Sequence, residues 1–315
     1  MAQISPIKFS NELQKQLFPD NSFYKKSRTE TGIDPDVENV EIPVAGNVGD
    51  AKSGDPVSLP LQIKTREDSK KSYPIEQLYT DPYLVRREES IVLNYSKLQD
   101  LAMTLSLSIN TRAARIAAVN WGSNLNIVRT SNTTVRASSL VGATGTRKKI
   151  AKADMLDVLT KFRKMNLPDL GAGSIWGLIT PEMAQDLLEI QEFVDADKTG
   201  EQASKLLAGE FSFIAGMNLK IRSDDDGSVG VFYDNSGTPL KQPIDSAIGA
   251  AYNAAAIFWH PMMVRHAEGN AATFIERGKP EYLGGTLLSS VTRFGATFDR
   301  PDEKGIVALV ESASS

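Results

Sequence analysis

Residues 90–120 read SIVLNYSKLQDLAMTLSLSINTRAARIAAVN, and Ile91, Tyr95, Leu98, Leu101, Leu105, Ile109, Ala113 and Ile116 recur at spacings of three and four. That spacing draws one apolar stripe along an α-helix. At 1.5 Å per residue, roughly 30 residues extend about 45 Å, well beyond the roughly 11–12-residue mean of globular helices. Lys97, Asp100, Asn110, Arg112 and Arg115 fall on the other face, and Trp121-Gly122 supplies the stop. The stripe passes from Leu to Ala and Ser in its second half, without a sustained charged flank, which disfavours a coiled coil. A spine against which a sheet packs is the expectation.

Downstream of a Ser/Thr-rich basic connection (residues 129–152), Asp154 reads as the N-cap of a second helix faced by Met155, Leu159 and Phe162 and ended by Asn166-Leu167-Pro168. GAGSIWGLIT (171–180) reads as a buried strand. Thr180-Pro181-Glu182 then opens a helix with a hydroxyl cap and Pro at its first position, continued by Met183, Leu187, Ile190 and Val194. A short helix is expected over residues 202–208. FSFIAGMNLKIRS and SVGVFYD flank Asp224-Asp225-Asp226-Gly227, which signals a hairpin turn. Strands AAAIFWHPMMVRH, TFIERGK, TLLSSVTRFGATFD and GIVALVES close the chain. Helices and strands do not alternate strictly, so an α+β fold is favoured over a doubly wound parallel sheet.

Upstream, VENVEIPVAG alternates through Val37, Val40, Ile42 and Val44, GDAKSGDP forms a turn-rich tip, and VSLPLQIKTRED resumes through Val57, Leu59, Leu61 and Ile63. A two-stranded hairpin is marginal alone in water, so a projection supported by a neighbouring chain is inferred, with an ordinary sheet edge as the alternative. Residues 1–35 are polar, with short apolar pieces (Ile4, Ile7, Phe9; Leu13, Leu17, Phe18; Phe23, Tyr24) too small for a core. An arm lying on another surface fits them better than a domain does.

The chain has 315 residues, 41% hydrophobic and 23% charged, with 35 basic and 39 acidic residues and a formal charge of -4. Whole-chain attraction to a polyanion is not expected, although a local basic face is compatible with that balance. Cys is 0 and His 2, which removes disulfides, thiol nucleophiles and Cys- or His-rich metal sites. The N-terminus lacks the basic and apolar regions of a signal peptide, and no apolar run approaches the roughly 20 residues of a membrane span. A soluble protein made in a cytoplasm is expected.

No motif singles out catalysis. In GAGSIWG the third glycine is Gly177, one place too late for G-x-G-x-x-G, and Trp176 holds the required position. Aligning Gly227 with the sixth place of a calcium loop puts Arg222 first and Tyr233 twelfth, where acids are needed, so Asp224, Asp225 and Asp226 read as an exposed hairpin turn. His260 and His266, six apart on one strand, are too far apart to share a metal, and Pro261 marks an edge or bulge. Arg147, Lys148, Lys149 and Lys152, with Arg112 and Arg115, offer phosphate contacts; solvated faces or salt bridges are the plainer reading. Catalytic, cofactor-binding and metal-binding residues are therefore all assigned as none.

The order of elements resembles the major capsid proteins of tailed bacteriophages, which share the fold first seen in phage HK97. The hairpin looks like the E-loop, and residues 90–120 look like the spine helix of the peripheral domain. GSIWGLITPEMAQDLLE resembles the strand, turn and helix of the axial domain, and GEFSFIAGMNLKIRS resembles another of its segments. AAIFWHPMMVRHAEG and YLGGTLLSSVTRFGATFDRPDEKGIVALV look like the closing strands. The resemblance implies an N-terminal arm at 1–35, an E-loop at 36–85, a peripheral domain at 86–170, an axial domain at 171–265 and returning strands of the peripheral domain at 266–315.

It further implies self-assembly into hexamers and pentamers of an icosahedral or prolate shell around double-stranded DNA. A separate scaffolding protein, a portal and a decoration protein would be partners, no membrane would be involved, and assembly would occur in a bacterial cytoplasm. Arg66, Glu67, Asp68, Lys70 and Lys71 at the hairpin's end, with Arg86, Arg87, Glu88 and Glu89 beyond it, are expected to pair with neighbouring subunits. Some relatives crosslink subunits through Lys, but no motif carries that reaction to Lys52, Lys64, Lys70 or Lys71. The alternatives are an encapsulin-type compartment shell and a soluble α+β enzyme using carboxylates.

Overall fold

The computed structural model describes residues 18–30, 37–46, 48, 53, 64–86, 97–190, 213–279 and 284–314. Among them the expected spine is α1 (Lys97–Trp121), 25 residues long, with Leu105, Ile109, Ala113 and Ile116 of the stripe buried. Ala114, Ala117 and Ala118 are buried beside them. These small side chains bring the helix backbone close to the strands beneath it. The start of the stripe, 90–96, lies outside the described residues.

A seven-stranded mixed sheet forms the centre, in the order β10 (Phe213–Ile214), β11 (Met217–Ile221), β9 (Ile175–Ile179), β13 (Asn253–Trp259), β17 (Ile306–Val310) and β6 (Ile127–Arg129), with β12 (Phe232–Tyr233) pairing with β13. Both faces are covered, so β13 and β17 are buried throughout. Ala255, Ile257, Trp259, Ile306, Ala308 and Val310 meet α1 on one side. Ala254, Ala256, Phe258, Val307 and Leu309 meet α2 (Lys152–Lys164) and α3 (Pro181–Leu188) on the other. Gly177 sits inside this sheet: a Cβ there would approach Leu219 and the Phe258 ring to 2.7 Å. The glycine of the failed nucleotide motif is thus a packing requirement.

The second sheet is built on β16 (Thr286–Phe298). Along one edge it pairs with β14 (Val264–Glu268) and β15 (Ala272–Arg277), and along the other with β4 (Glu76–Tyr79) and β5 (Tyr83–Val85); β1 (Arg28–Glu30) adds to β14. Of the closing stretch 266–315, therefore, β14 to β16 belong here and β17 belongs to the central sheet. AAAIFWHPMMVRH is not one strand: it leaves the central sheet at Trp259, turns through a 3-10 segment (Pro261–Met263), and joins the second sheet at Val264. His260 accepts from the Met262 backbone N–H at that corner, so the two histidines sit on different elements. β2 (Asn39–Val44) with β3 (Ser69–Pro74), and β7 (Val135–Ala137) with β8 (Thr146–Lys148), form small antiparallel pairs.

Local expectations were corrected in three places. Asp154 is not the N-cap of α2: Ala151 holds that place, and the Asp154 carboxylate, one turn in, accepts from the Ala151 N–H at 2.8 Å. The Asp224–Gly227 turn does not join a hairpin. β11 runs parallel to β9 while β12 pairs with β13, and the tight antiparallel turn is instead at Ala215-Gly216, both with positive φ. Phe23 and Tyr24 are fully buried rather than lying on a foreign surface. The Phe23 ring stands 6.0 Å from both Trp121 and Trp259, at the centre of the core. Thr180 caps α3 as expected, accepting from the Met183 N–H; Val194 and the 202–208 helix lie outside the described residues.

Candidate assembly surfaces

The hairpin expected to project begins on the body. Strand β2 is where alternation places it, but its described partner is β3, 69–74, from Asn39 opposite Pro74 to Val44 opposite Ser69. Residues 57–63, the expected partner, lie outside the described residues. Period-two geometry sorts the pair into faces: Val40, Ile42, Lys71 and Tyr73 share one, and Glu41, Lys70 and Ser72 the other. Ile42 and Tyr73 are buried with Ile75 and Ala267. Arg293 donates to the Val37 carbonyl at 2.8 Å, and a Cβ on Gly295 would meet the Pro74 carbonyl at the same distance, so the hairpin base lies directly across β16.

That sorting decides the fate of the predicted interface residues. Lys71 is turned inward: its ammonium donates to the Phe298 carbonyl and lies over the Phe298 ring, 3.2 Å from the centroid. Burial lowers its pKa to about 8, against the opposing pull of Asp299 and Glu303 and with the push of Lys241. Lys71 therefore anchors its own chain. Lys70 points out and pairs with Glu41 at 2.7 Å, and Arg66 pairs with Asp68 at 2.6 Å, with Asp68 also accepting from the Gly46 N–H. Glu67 and Arg86 are exposed. Arg87, Glu88 and Glu89 lie outside the described residues.

The N-terminal segment, residues 18–30, is tied to the body along its length. Asn21 donates to Thr111 of α1 at 3.0 Å and accepts from the Arg222 guanidinium at 3.2 Å. Trp259 donates its indole N–H to the Lys26 carbonyl, Ser27 bonds to His266 at 2.7 Å, and β1 runs parallel to β14. Burial lowers the pKa of His266, with nearby Lys25 contributing.

The titratable clusters are ion pairs between elements. Arg222 and Asp224 meet at 2.6 Å, and Arg115 of α1 reaches Asp224 and Asp226 at 3.2 Å each. The acidic turn is thus a lock between β11 and the spine, and Asp224 is buried rather than exposed. Arg136 of β7 bridges Asp186 at 3.0 Å and Glu311 at 2.7 Å, tying β7 to α3 and to the residue after β17. Burial raises the pKa of Asp186 in spite of that arginine. Two members of the basic run follow the plainer reading of contacts within the chain: Arg147 is buried, donating to the carbonyls of Thr144 and Tyr252, and Lys149 pairs with Glu189. Arg112 likewise pairs with Asp245. No group of three His, Cys, Asp or Glu side chains able to hold a metal occurs among the described residues.

Five of the exposed large apolar side chains lie instead at one end of the second sheet, Tyr79, Leu84 and Phe274 on one face and Tyr83 and Ile275 on the other, carried by β4, β5 and β15. Sequence reading missed this grouping because each strand is short and its apolar residues are separated by nearly 200 positions. Only the β16 register brings them together.

No family model matches the chain, and no curated protein matches it. Solved structures do. The chain matches one from Mycobacterium phage Che8 with a TM-score of 0.67 and 13% identity, over 98% of this chain and 97% of that one. The capsid of cyanophage P-SCSP1u gives 0.66 and 14%, over 99% and 94%. The acid-stable capsid of Helicobacter pylori bacteriophage KHP30 gives 0.68 and 10%, over 98% and 95%. The chain therefore has the fold of bacteriophage capsid chains, as the order of its sequence elements implied.

Proposed function

We propose that this chain is a major capsid protein, the repeated subunit of a bacteriophage shell, with a structural rather than a catalytic role. The observation that carries the reading is the match to capsid chains over nearly the full length of both partners. The apolar end of the second sheet supports it, since a monomer gains nothing from exposing Tyr79, Leu84 and Phe274 on one face and Tyr83 and Ile275 on the other.

In finer terms, the chain is a tailed-phage subunit of the HK97 type. Its hairpin is the E-loop, α1 the spine of the peripheral domain, and the central sheet the framework of the axial domain. Copies form hexamers and pentamers of a closed shell around double-stranded DNA, with a separate scaffolding protein and a portal as partners, in a bacterial cytoplasm. Glu67, Arg86, Arg87, Glu88 and Glu89, and the outward pairs Lys70–Glu41 and Arg66–Asp68, face neighbouring subunits.

Electron microscopy and size-exclusion chromatography of the expressed protein test the reading. Capsomers or closed particles are expected, and a small soluble oligomer under all conditions would overturn it. Reversing Arg86 and Arg87 to Glu is expected to reduce particle yield while leaving the melting temperature of the subunit unchanged. Co-purified double-stranded DNA rather than a cargo enzyme separates a phage shell from an encapsulin-type compartment.

A further inference from the structure

Strand β15 (Ala272–Arg277) is the outermost strand of the second sheet. It pairs with β16 along one edge, from Ala272 opposite Val291 to Arg277 opposite Thr286, and among the described residues nothing pairs with its other edge. An open edge presents a row of unpaired N–H and C=O groups, which proteins ordinarily blunt with Pro, Lys or a bulge. Among the described residues the other six-residue open edges are blunted that way. β2 carries Pro43, and β3 carries Lys70 and Lys71 and ends at Pro74.

β15 is different. Its centre is Thr273, Phe274 and Ile275, with Phe274 59% and Ile275 53% exposed. Period two sends these two side chains to opposite faces. Ile275 and Tyr83 flank Leu288 in one row across the sheet, with Leu288 buried and the two flanking side chains exposed. On the opposite face Phe274 stands opposite Ser289, flanked by the rows that hold Leu84 with Leu287 and Tyr79 with Val291. A strand that closed this edge would have to be apolar on both faces at its middle.

We propose that the free edge of β15 is an interface with a second copy of this chain, formed by antiparallel pairing of β15 with its own counterpart about a local twofold axis. The inference rests on the reading of the chain as a self-assembling shell subunit, and names one contact of that shell. β15 is itself a strand of the required kind, and a twofold contact uses one patch twice. A twofold perpendicular to the sheet keeps each face continuous and pairs only residues of the same face. With Phe274 on the axis, the two Phe274 rings are neighbours, Thr273 lies opposite Ile275, and Ala272 lies opposite Glu276. No like charges are then directly opposed, an arrangement that would be destabilising. Glu276 is already engaged by Lys279 of its own chain.

The absence of Cys from the sequence makes the test clean. In the Phe274→Cys variant each subunit carries one thiol, and residues opposed across an antiparallel pair have Cα atoms roughly 4.5–5.5 Å apart, within disulfide reach. Mild oxidation of particles and of concentrated soluble protein is expected to give covalent dimers on a non-reducing gel. Leu240→Cys, on an exposed loop away from the strand, is expected to stay monomeric. In the wild-type protein the amides of 272–277 are expected to exchange at least about tenfold more slowly on association. Ile275→Pro, which removes one edge N–H, is expected to abolish that protection at an unchanged melting temperature. Particles in which Phe274→Cys stays monomeric and 272–277 exchange at the monomer's rate overturn the β15 contact and leave the shell reading standing. Covalent dimers from a protein that never forms particles support the contact and count against the shell reading. Neither dimers nor particles overturns both.

Discussion

Two arginine–aspartate pairs in this chain have the same length and opposite surroundings. Arg222 and Asp224 meet at 2.6 Å with side chains 0% and 3% exposed, in the lock between β11 and α1. Arg66 and Asp68 meet at 2.6 Å with side chains 50% and 49% exposed, on the hairpin. Geometry alone would score them equally. Water separates them: the exposed pair exchanges one set of solvated partners for another, whereas the buried ions have no solvent to return to. The body is thus built from contacts that fail expensively, and the hairpin from contacts that rearrange cheaply. That division suits a subunit whose core must persist while its projections adapt to neighbours.

The largest effect expected is from Asp224→Ala. It leaves Arg222 and Arg115 facing each other without the shared carboxylate, with Arg222 still buried. Breaking a buried pair from one side costs about 3–5 kcal/mol, whereas Asp68→Ala on the exposed hairpin should leave stability nearly unchanged. Urea unfolding of the two variants reads the difference directly. Equal costs would break the comparison and mean that the lock is more hydrated than its burial implies.

Phe23→Ala comes next and asks on which side of the division the N-terminal segment falls. The ring sits edge-on to Trp121 and Trp259 and is fully buried, so its removal should cost about 3–4 kcal/mol. A cost near zero in the isolated subunit would return residues 18–30 to the class of adaptable arms.

The division also marks what was legible in the sequence. The α1 stripe could be read because a helix repeats its signal locally, and Leu105, Ile109, Ala113 and Ile116 are buried as the period requires. Thr180-Pro181 could be read for the same reason: the cap and its acceptor are three residues apart. Phe23 could not, because two aromatics in a polar stretch carry no sign of partners about 100 and 240 positions away. The Asp224–Gly227 turn was misread because its local chemistry is that of a hairpin, whereas β11 finds its partner across a helix, in β9. Strand β3 was missed because SKKSYP carries one large apolar side chain, Tyr73. Its place is set by docking on the body, which no alternation records.

Lys71 lies on the boundary, a hairpin residue held by the body, and pH sharpens its position. Burial lowers its pKa from 10.5 to about 8, so the unfolded chain holds that proton more tightly. Stability should then rise with pH between about 8 and 10.5, and below about 8 the handicap of the buried charge is constant. Each pKa unit corresponds to about 1.4 kcal/mol, and partial contact of the side chain with water reduces the total to roughly 1–2 kcal/mol. Lys71→Met keeps the stem over Phe298 and removes the titration. Its denaturation midpoint should therefore lose the Lys71 contribution to the alkaline rise seen in the parent protein. A parent whose rise survives the substitution would place the titrating group elsewhere.

The smallest effect on the subunit is expected from Lys70→Glu, and it tests the outer side of the division most sharply. Lys70 and Glu41 are exposed and paired, so reversing Lys70 barely changes the stability of the isolated chain. Within one copy the substitution is nearly silent, because water screens the new repulsion. In a closed shell the same change is made once per subunit, so a small loss at each contact accumulates over every copy. Particle yield should therefore fall, and fall further at low salt, while the urea midpoint of the subunit barely moves. Loss of subunit stability by several kcal/mol would show that the outer face of the hairpin belongs to the body. An unchanged yield at every ionic strength would remove Lys70 from the interfaces between copies.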